Sequence, residues 1–130
     1  MTQLPALVTL LTMLLLLGTA WAVGRARVKY QIKAPAVTGH PAFERAYRVQ
    51  MNTLEQTVLF LPTLWLAAQY GFSGWAGIAG LVWLAGRVWY AAAYLNDAGK
   101  RGPGFALGML AWLVLLVMAC IGVVRALTLG

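Results

Sequence analysis

The chain has 130 residues, of which 62% are hydrophobic and only 10% charged, with a mean hydropathy of +0.76. Ten basic and three acidic side chains cannot cover a water-soluble globule of 14.1 kDa, so a soluble single-core domain, a disordered chain and a coiled coil are excluded. The formal charge of +7 would suggest nucleic acid in a soluble protein, but its distribution in this chain reads as a membrane-topology signal, with no nucleic-acid partner.

In chain order, apolar runs over Leu4 to Val23, Met51 to Tyr70, Trp75 to Leu95 and Phe105 to Leu127 each approach the roughly 20 residues that a helix needs to cross hydrocarbon. Backbone groups in lipid must be satisfied within the segment, and one short chain cannot close a barrel, so the spans are helices. The expected fold is an all-α integral membrane protein, a four-transmembrane-helix bundle in one domain over residues 1–130, with helices near 4–23, 43–70, 75–96 and 104–127. Gly71-Phe72-Ser73-Gly74 reads as a tight turn, and Gly99, Gly102, Pro103 and Gly104 as the break before the last span. The first run also fits a removed signal peptide, with Ala20-Trp21-Ala22 as cleavage site. The lack of Lys or Arg ahead of the run and its length favour a retained span.

Basic residues set the orientation. Arg25, Arg27, Lys29, Lys33, Arg45, Arg48, Lys100 and Arg101 fall at one end of such a bundle, and Arg125 alone marks the other. The first and third connections therefore face the cytoplasm and both termini face away, in a plain topology that suits a bacterial inner membrane.

Charged groups inside spans need a reason, since one at the bilayer centre costs about 2.5 to 3.5 kcal/mol on insertion scales. In the second helix, Arg48, Asn52 and Glu55 stand at i, i+4 and i+7, on one stripe, with Arg45 close to it. The plain alternative is an interfacial helix start in which Glu44 pairs with Arg48. In the third helix, Arg87, Tyr90 and Tyr94 form a second stripe, followed by Arg101. The tyrosines also fit an aromatic belt, whereas Arg87, midway along its span, should face an interior acceptor, with Glu55 the candidate. His40 stands alone in its loop and has no metal-ligand partners, so no metal is expected, and the lone Cys120 reads as apolar filler. Gly104 and Gly108 form a GxxxG suited to close helix packing. The sum is a cytoplasm-facing polar pocket rich in arginine, which favours an anionic ligand and forms more easily between subunits than within one.

The run Phe43-Glu44-Arg45-x-Tyr47-Arg48-x-Gln50-x-Asn52-x-x-Glu55, then Phe60-Leu61-x-Thr63-Leu64-Trp65, resembles the second-helix signature of the MAPEG family, the membrane-associated proteins in eicosanoid and glutathione metabolism. Arg87-x-x-Tyr90-x-x-x-Tyr94 is similar to the family's third helix. The resemblance runs from Arg25 to the fourth span. It implies a homotrimer in the lipid bilayer that binds glutathione as co-substrate at each subunit interface. Arg48, Gln50, Asn52 and Glu55 would be contacts from helix two, Arg87, Tyr90 and Tyr94 from helix three, and Arg27 from the end of helix one. Arg101 would be the catalytic residue that activates the thiol for attack on a lipophilic electrophilic substrate. Two departures stand out. Gly102-Pro103-Gly104 follows Arg101, and Gln56 stands where a family member has tyrosine. The implied activity is a microsomal-type glutathione transferase for detoxification, with peroxidase activity from the same thiolate. The alternative is a non-catalytic lipid-binding scaffold of the same family, a type that lacks the arginine at the position of Arg48. A four-helix cation transporter is disfavoured because no acid lies between Met1 and Gly24.

Overall fold

The structure, a computed structural model, describes residues 2–129. Four α-helical segments follow one another: α1 (Leu4–Tyr30), α2 (Pro41–Ala67), α3 (Ser73–Asn96) and α4 (Gly102–Leu129), with no strand among the described residues. Three continuous helical stretches are long and apolar enough to cross a membrane: Leu4–Tyr30, Pro41–Asn96 and Ala98–Leu129. The middle one, of 56 residues, contains both α2 and α3, which meet at a kink where Tyr70 and Gly71 leave helical φ and ψ.

Several helix ends differ from the sequence expectation. α1 runs past Val23 to Tyr30, carrying Arg25, Arg27 and Lys29 on helix rather than loop. Hydropathy falls at those residues, but Arg and Lys are good helix formers, and cations in a last turn complement the helix dipole. The helix stops where Gln31 turns left-handed, at φ 55° and ψ 48°. α2 begins at Pro41, with His40 as N-cap accepting a hydrogen bond at Nδ1 from Ala42 N at 3.1 Å. Proline suits this first turn because its missing N–H would be unpaired there anyway. The α2–α3 reversal centres on Tyr70 and Gly71, and Ser73 and Gly74 already belong to α3. Gly71 has φ +110°, which an L side chain rarely adopts. Gly102, Pro103 and Gly104 open α4 instead of breaking the chain, leaving Ala98–Lys100 as a single 3-10 turn.

The helices alternate in direction. Trp65 Nε1 donates to Thr9 Oγ1 at 3.0 Å, and Arg27 lies over the Phe43 ring, so α1 and α2 are antiparallel. Phe60 stacks on Trp83 at 3.7 Å and Arg45 Nε donates to Leu95 O at 3.1 Å, so α2 and α3 are antiparallel too. α3 and α4 approach so closely that a Cβ on Gly86 would sit 2.6 Å from Gly108 N, and one on Gly104 would collide with the Tyr90 backbone. The expected glycine spacing in α4 thus has its counterpart in Gly86. Such contact is how helices gain packing energy where lipid removes the hydrophobic drive.

Polarity is arranged for lipid. Leu10, Leu14 and Leu17 point outward at above 60% exposure, while Thr12, Thr53, Thr57 and Arg87 are buried. The threonines satisfy themselves against their own helices, as in Thr12 Oγ1 to Val8 O at 2.8 Å and Thr57 Oγ1 to Thr53 O at 2.7 Å. Beside Pro62, Leu59 O accepts from Thr63 Oγ1 at 2.7 Å and from Trp112 Nε1 at 3.2 Å, tying α4 to α2. Substituting Gly86 by Ala should destabilise the protein by about 1 to 3 kcal/mol, since the neighbour it meets is backbone. Thermal unfolding in detergent measures this, and an unchanged midpoint would show that α3 and α4 part without cost.

Candidate functional site

At the end of the bundle that carries both basic connections, α2, α3 and α4 enclose a cavity of about 370 Å³ lined by Arg48, Asn52, Tyr90, Tyr94, Arg101, Gly102 and Phe105. Arg48 and Asn52 share a face of α2 because four residues bring a helix nearly full circle, and Tyr90 and Tyr94 do the same on α3. Tyr90 meets Tyr94 edge-on at 5.5 Å and lies 6.0 Å from Phe105, so the aromatic wall is packed. Arg101 is exposed at the mouth. Its Nη1 donates to Ala98 O at 2.6 Å, and its guanidinium stands 5.6 Å from the Tyr94 ring. Asp97 shapes that connection by accepting from Gly99 N at 2.9 Å.

Arg87 lies behind the cavity rather than in it. Its side chain is 1% exposed, Nη2 donates to Asn52 Oδ1 at 2.8 Å and to Thr53 Oγ1 at 2.9 Å, and the guanidinium is 4.2 Å from the Tyr90 ring. Nε finds no acceptor among the described residues. Arginine carries donors only, so the amide of Asn52 must turn its oxygen to Arg87, which leaves the NH₂ for other acceptors. The wall thus presents donors: two guanidinium groups, an amide NH₂ and two phenols. It suits carboxylates, carbonyls or a thiolate.

The expected pairing of Arg87 with Glu55 is not formed. Thr53, which Arg87 reaches, and Glu55 are two residues apart on α2 and so point to nearly opposite sides, leaving Glu55 exposed. Nor does Glu44 pair with Arg48: it accepts from Gly39 N at 3.1 Å and steadies the start of α2. Gln50 is half-buried and Glu55 exposed, and neither lines the cavity. Arg27 is occupied at the first connection, where Nη1 donates to Ala36 O at 2.7 Å and the guanidinium lies 4.8 Å from the Phe43 ring. His40 stacks on Tyr30 at 3.7 Å in addition to its capping bond, which gives it a structural occupation.

Thr53 and Phe105 take part without having been singled out in the sequence, and Gly102, read there as part of a break, lines the cavity. Thr53 stands next to Asn52 and, with Thr57, marks the inward face of α2, a signal that the polar stripe beside it masked. Phe105 depends on the register of α4 against α3, which the two glycine contacts fix only in three dimensions. Loss of the two bonds from Arg87 should cost roughly 1.5 to 3 kcal/mol each, the usual range for hydrogen bonds to a charged group. Arg87→Leu is therefore expected to lower the thermal midpoint more than Arg48→Leu, whose side chain is exposed. Equal midpoints would remove Arg87 from its structural part.

Known proteins resemble this chain over most of its length. Residues 5–121 match the MAPEG family. The chain is 50% identical to an uncharacterised protein of Synechocystis sp. over 119 residues, 92% of this chain and 87% of that one. It is 44% identical to microsomal glutathione S-transferase 2 of Homo sapiens over 99 residues, 75% of this chain and 67% of that one. Against leukotriene C4 synthase of Cavia porcellus the identity is 42% over 118 residues, covering 90% of this chain and 78% of that one.

Proposed function

Because the chain belongs to the MAPEG family, we propose that it is a membrane-bound glutathione transferase that joins the glutathione thiolate to lipophilic electrophiles. The observation that carries this reading is the donor-lined cavity of Arg48, Asn52, Tyr90, Tyr94 and Arg101, closed on its inner side by Arg87. Glutathione brings two carboxylates, two peptide carbonyls and a thiol, for which a wall made of donors is the complement, and one ammonium, which takes an acceptor from outside this wall. Arg48 and the Asn52 NH₂ bind the peptide, and the tyrosines hold its length.

A free thiol has a pKa of about 8.5 and is mostly protonated at neutral pH. Arg101, exposed at the mouth and holding Ala98 O through Nη1 alone, turns its remaining N–H groups to the sulfur and stabilises the thiolate by charge and hydrogen bonding, worth about 1.4 kcal/mol for each unit of depression. The thiol proton leaves to solvent. The sulfur lone pair then forms a carbon–sulfur bond as the electrophile's leaving bond breaks, the electrophile arriving from the bilayer. Peroxide reduction is a second outlet for the same thiolate: the sulfur takes the distal peroxide oxygen as the O–O bond breaks and the alcohol leaves, and a second glutathione displaces that oxygen as water to give the disulfide.

The 56-residue stretch supplies two of four membrane crossings, and three chains assemble as a homotrimer. Arg27, Gln50 and Glu55 lie off the cavity in their own chain, which is consistent with a site completed between subunits. The gathering of basic residues at the cavity end, against Arg125 alone at the other, supports a cytoplasm-facing site in a bacterial inner membrane.

Rapid mixing of the detergent-purified protein with glutathione, followed by thiolate absorbance, tests the assignment. Wild type should give a thiolate signal and Arg101→Ala none. The pH midpoint of kcat/KM should lie below the free thiol value in wild type and rise toward about 8.5 in the variant. Arg48→Ala should weaken glutathione binding by roughly 1.5 to 3 kcal/mol. No glutathione binding by the wild-type protein would turn the reading to a lipid-binding scaffold.

A further inference from the structure

Arg25, Lys29 and Arg45 have no part in the site above: Arg25 and Lys29 stand one and two turns beyond the last α1 residue of a second cavity, Ala22, and Arg45 bonds to one of its lining residues, Leu95. That cavity, of about 300 Å³, lies between α1, α2 and α3 and is lined by Leu14, Leu15, Gly18, Thr19, Ala22, Ala46, Val49, Ala91 and Leu95. Its polar side chain, Thr19, is internally satisfied through Leu16 O at 2.8 Å. Small residues at Gly18, Ala22, Ala46 and Ala91 leave the space open, and a Cβ on Gly18 would meet nothing within 4 Å.

The charges sit where the groove reaches the basic end. At roughly 100° per residue, Arg25 and Lys29 continue the helical face of Gly18 and Ala22 one and two turns further along α1. Arg45 precedes the groove residues Ala46 and Val49 on α2, and its Nε bond to Leu95 O fixes the guanidinium beside another lining residue. Arg25 and Lys29 are exposed, so their charge is available to a ligand outside the bundle. An apolar slot with three cations beyond one end, drawn from two helices, has the polarity of an acidic phospholipid: chain in the slot, phosphate toward the cations. A zwitterionic lipid brings its own cation beside its phosphate and so meets the three charges less well than a lipid of net negative charge. An uncharged apolar compound has no use for them.

We propose that this groove is a binding site for one acidic phospholipid, separate from the donor-lined cavity and independent of the transferase reading. Native mass spectrometry of the detergent-solubilised protein titrated with phosphatidylglycerol or phosphatidylcholine of the same acyl chains tests it, with inorganic phosphate as a headgroup-only probe. Wild type should retain phosphatidylglycerol in preference to phosphatidylcholine and should not retain phosphate. Arg25→Gln, Lys29→Gln and Arg45→Gln should each weaken phosphatidylglycerol retention by about fivefold. Gly18→Leu, which fills the slot and leaves every charge in place, should weaken it as well. Equal retention of the two lipids, retention indifferent to the charge substitutions, or undiminished retention in Gly18→Leu would overturn the proposal. A changed oligomeric mass in Gly18→Leu would mark the groove as a subunit interface and overturn it equally.

Discussion

The side chain of Arg87 lies among the three helices that build the donor-lined cavity. It bonds to Asn52 and Thr53 on α2, lies against the Tyr90 ring on its own helix, and its stem would stand 3.5 Å from a Cβ placed on Gly108 of α4. A charge at that depth is tolerable only because three neighbours answer it, and those same neighbours are thereby held in one orientation. The amide of Asn52 has one choice of flip, and the phenol ring of Tyr90 has one face covered. The chemistry of the cavity wall is therefore set by a residue that does not line it.

The glycines serve the same end. Arg87 can lie along α4 only because Gly86, Gly104 and Gly108 let α3 and α4 approach to backbone contact, which brings Phe105 against Tyr90. The bundle is thus tightest on the side that holds the cavity, whereas the α1 side leaves a slot open next to Ala46 and Ala91.

Much of this was legible in the sequence. The apolar runs marked the helices, and the i, i+4 spacing of Arg48 with Asn52 and of Tyr90 with Tyr94 put those side chains on common faces. Hydropathy misplaced the end of α1, since it measures affinity for lipid and Arg25, Arg27 and Lys29 continue a helix without being apolar. The partner of Arg87 was misassigned for a different reason. Opposite charge made Glu55 the obvious acceptor, but the rotation of α2 against α3 decides which side chain arrives, and that rotation delivers Thr53 and Asn52. Phe105 and Gly102 lay beyond reach because the register of α4 is a property of the packed pair and not of either helix alone.

The bend at Tyr70 and Gly71 has a bearing on biosynthesis. Between α2 and α3 the chain reads Ala68-Gln69-Tyr70-Gly71-Phe72, without a single charged side chain. The polar groups at the tip of this hairpin are the Gln69 amide and the bent backbone at Tyr70 and Gly71, so the tip costs less to bring through hydrocarbon than the arginines at the far ends of α2 and α3. The hairpin thus has a light end and a heavy end for crossing, an asymmetry written into the chain before its helices pack.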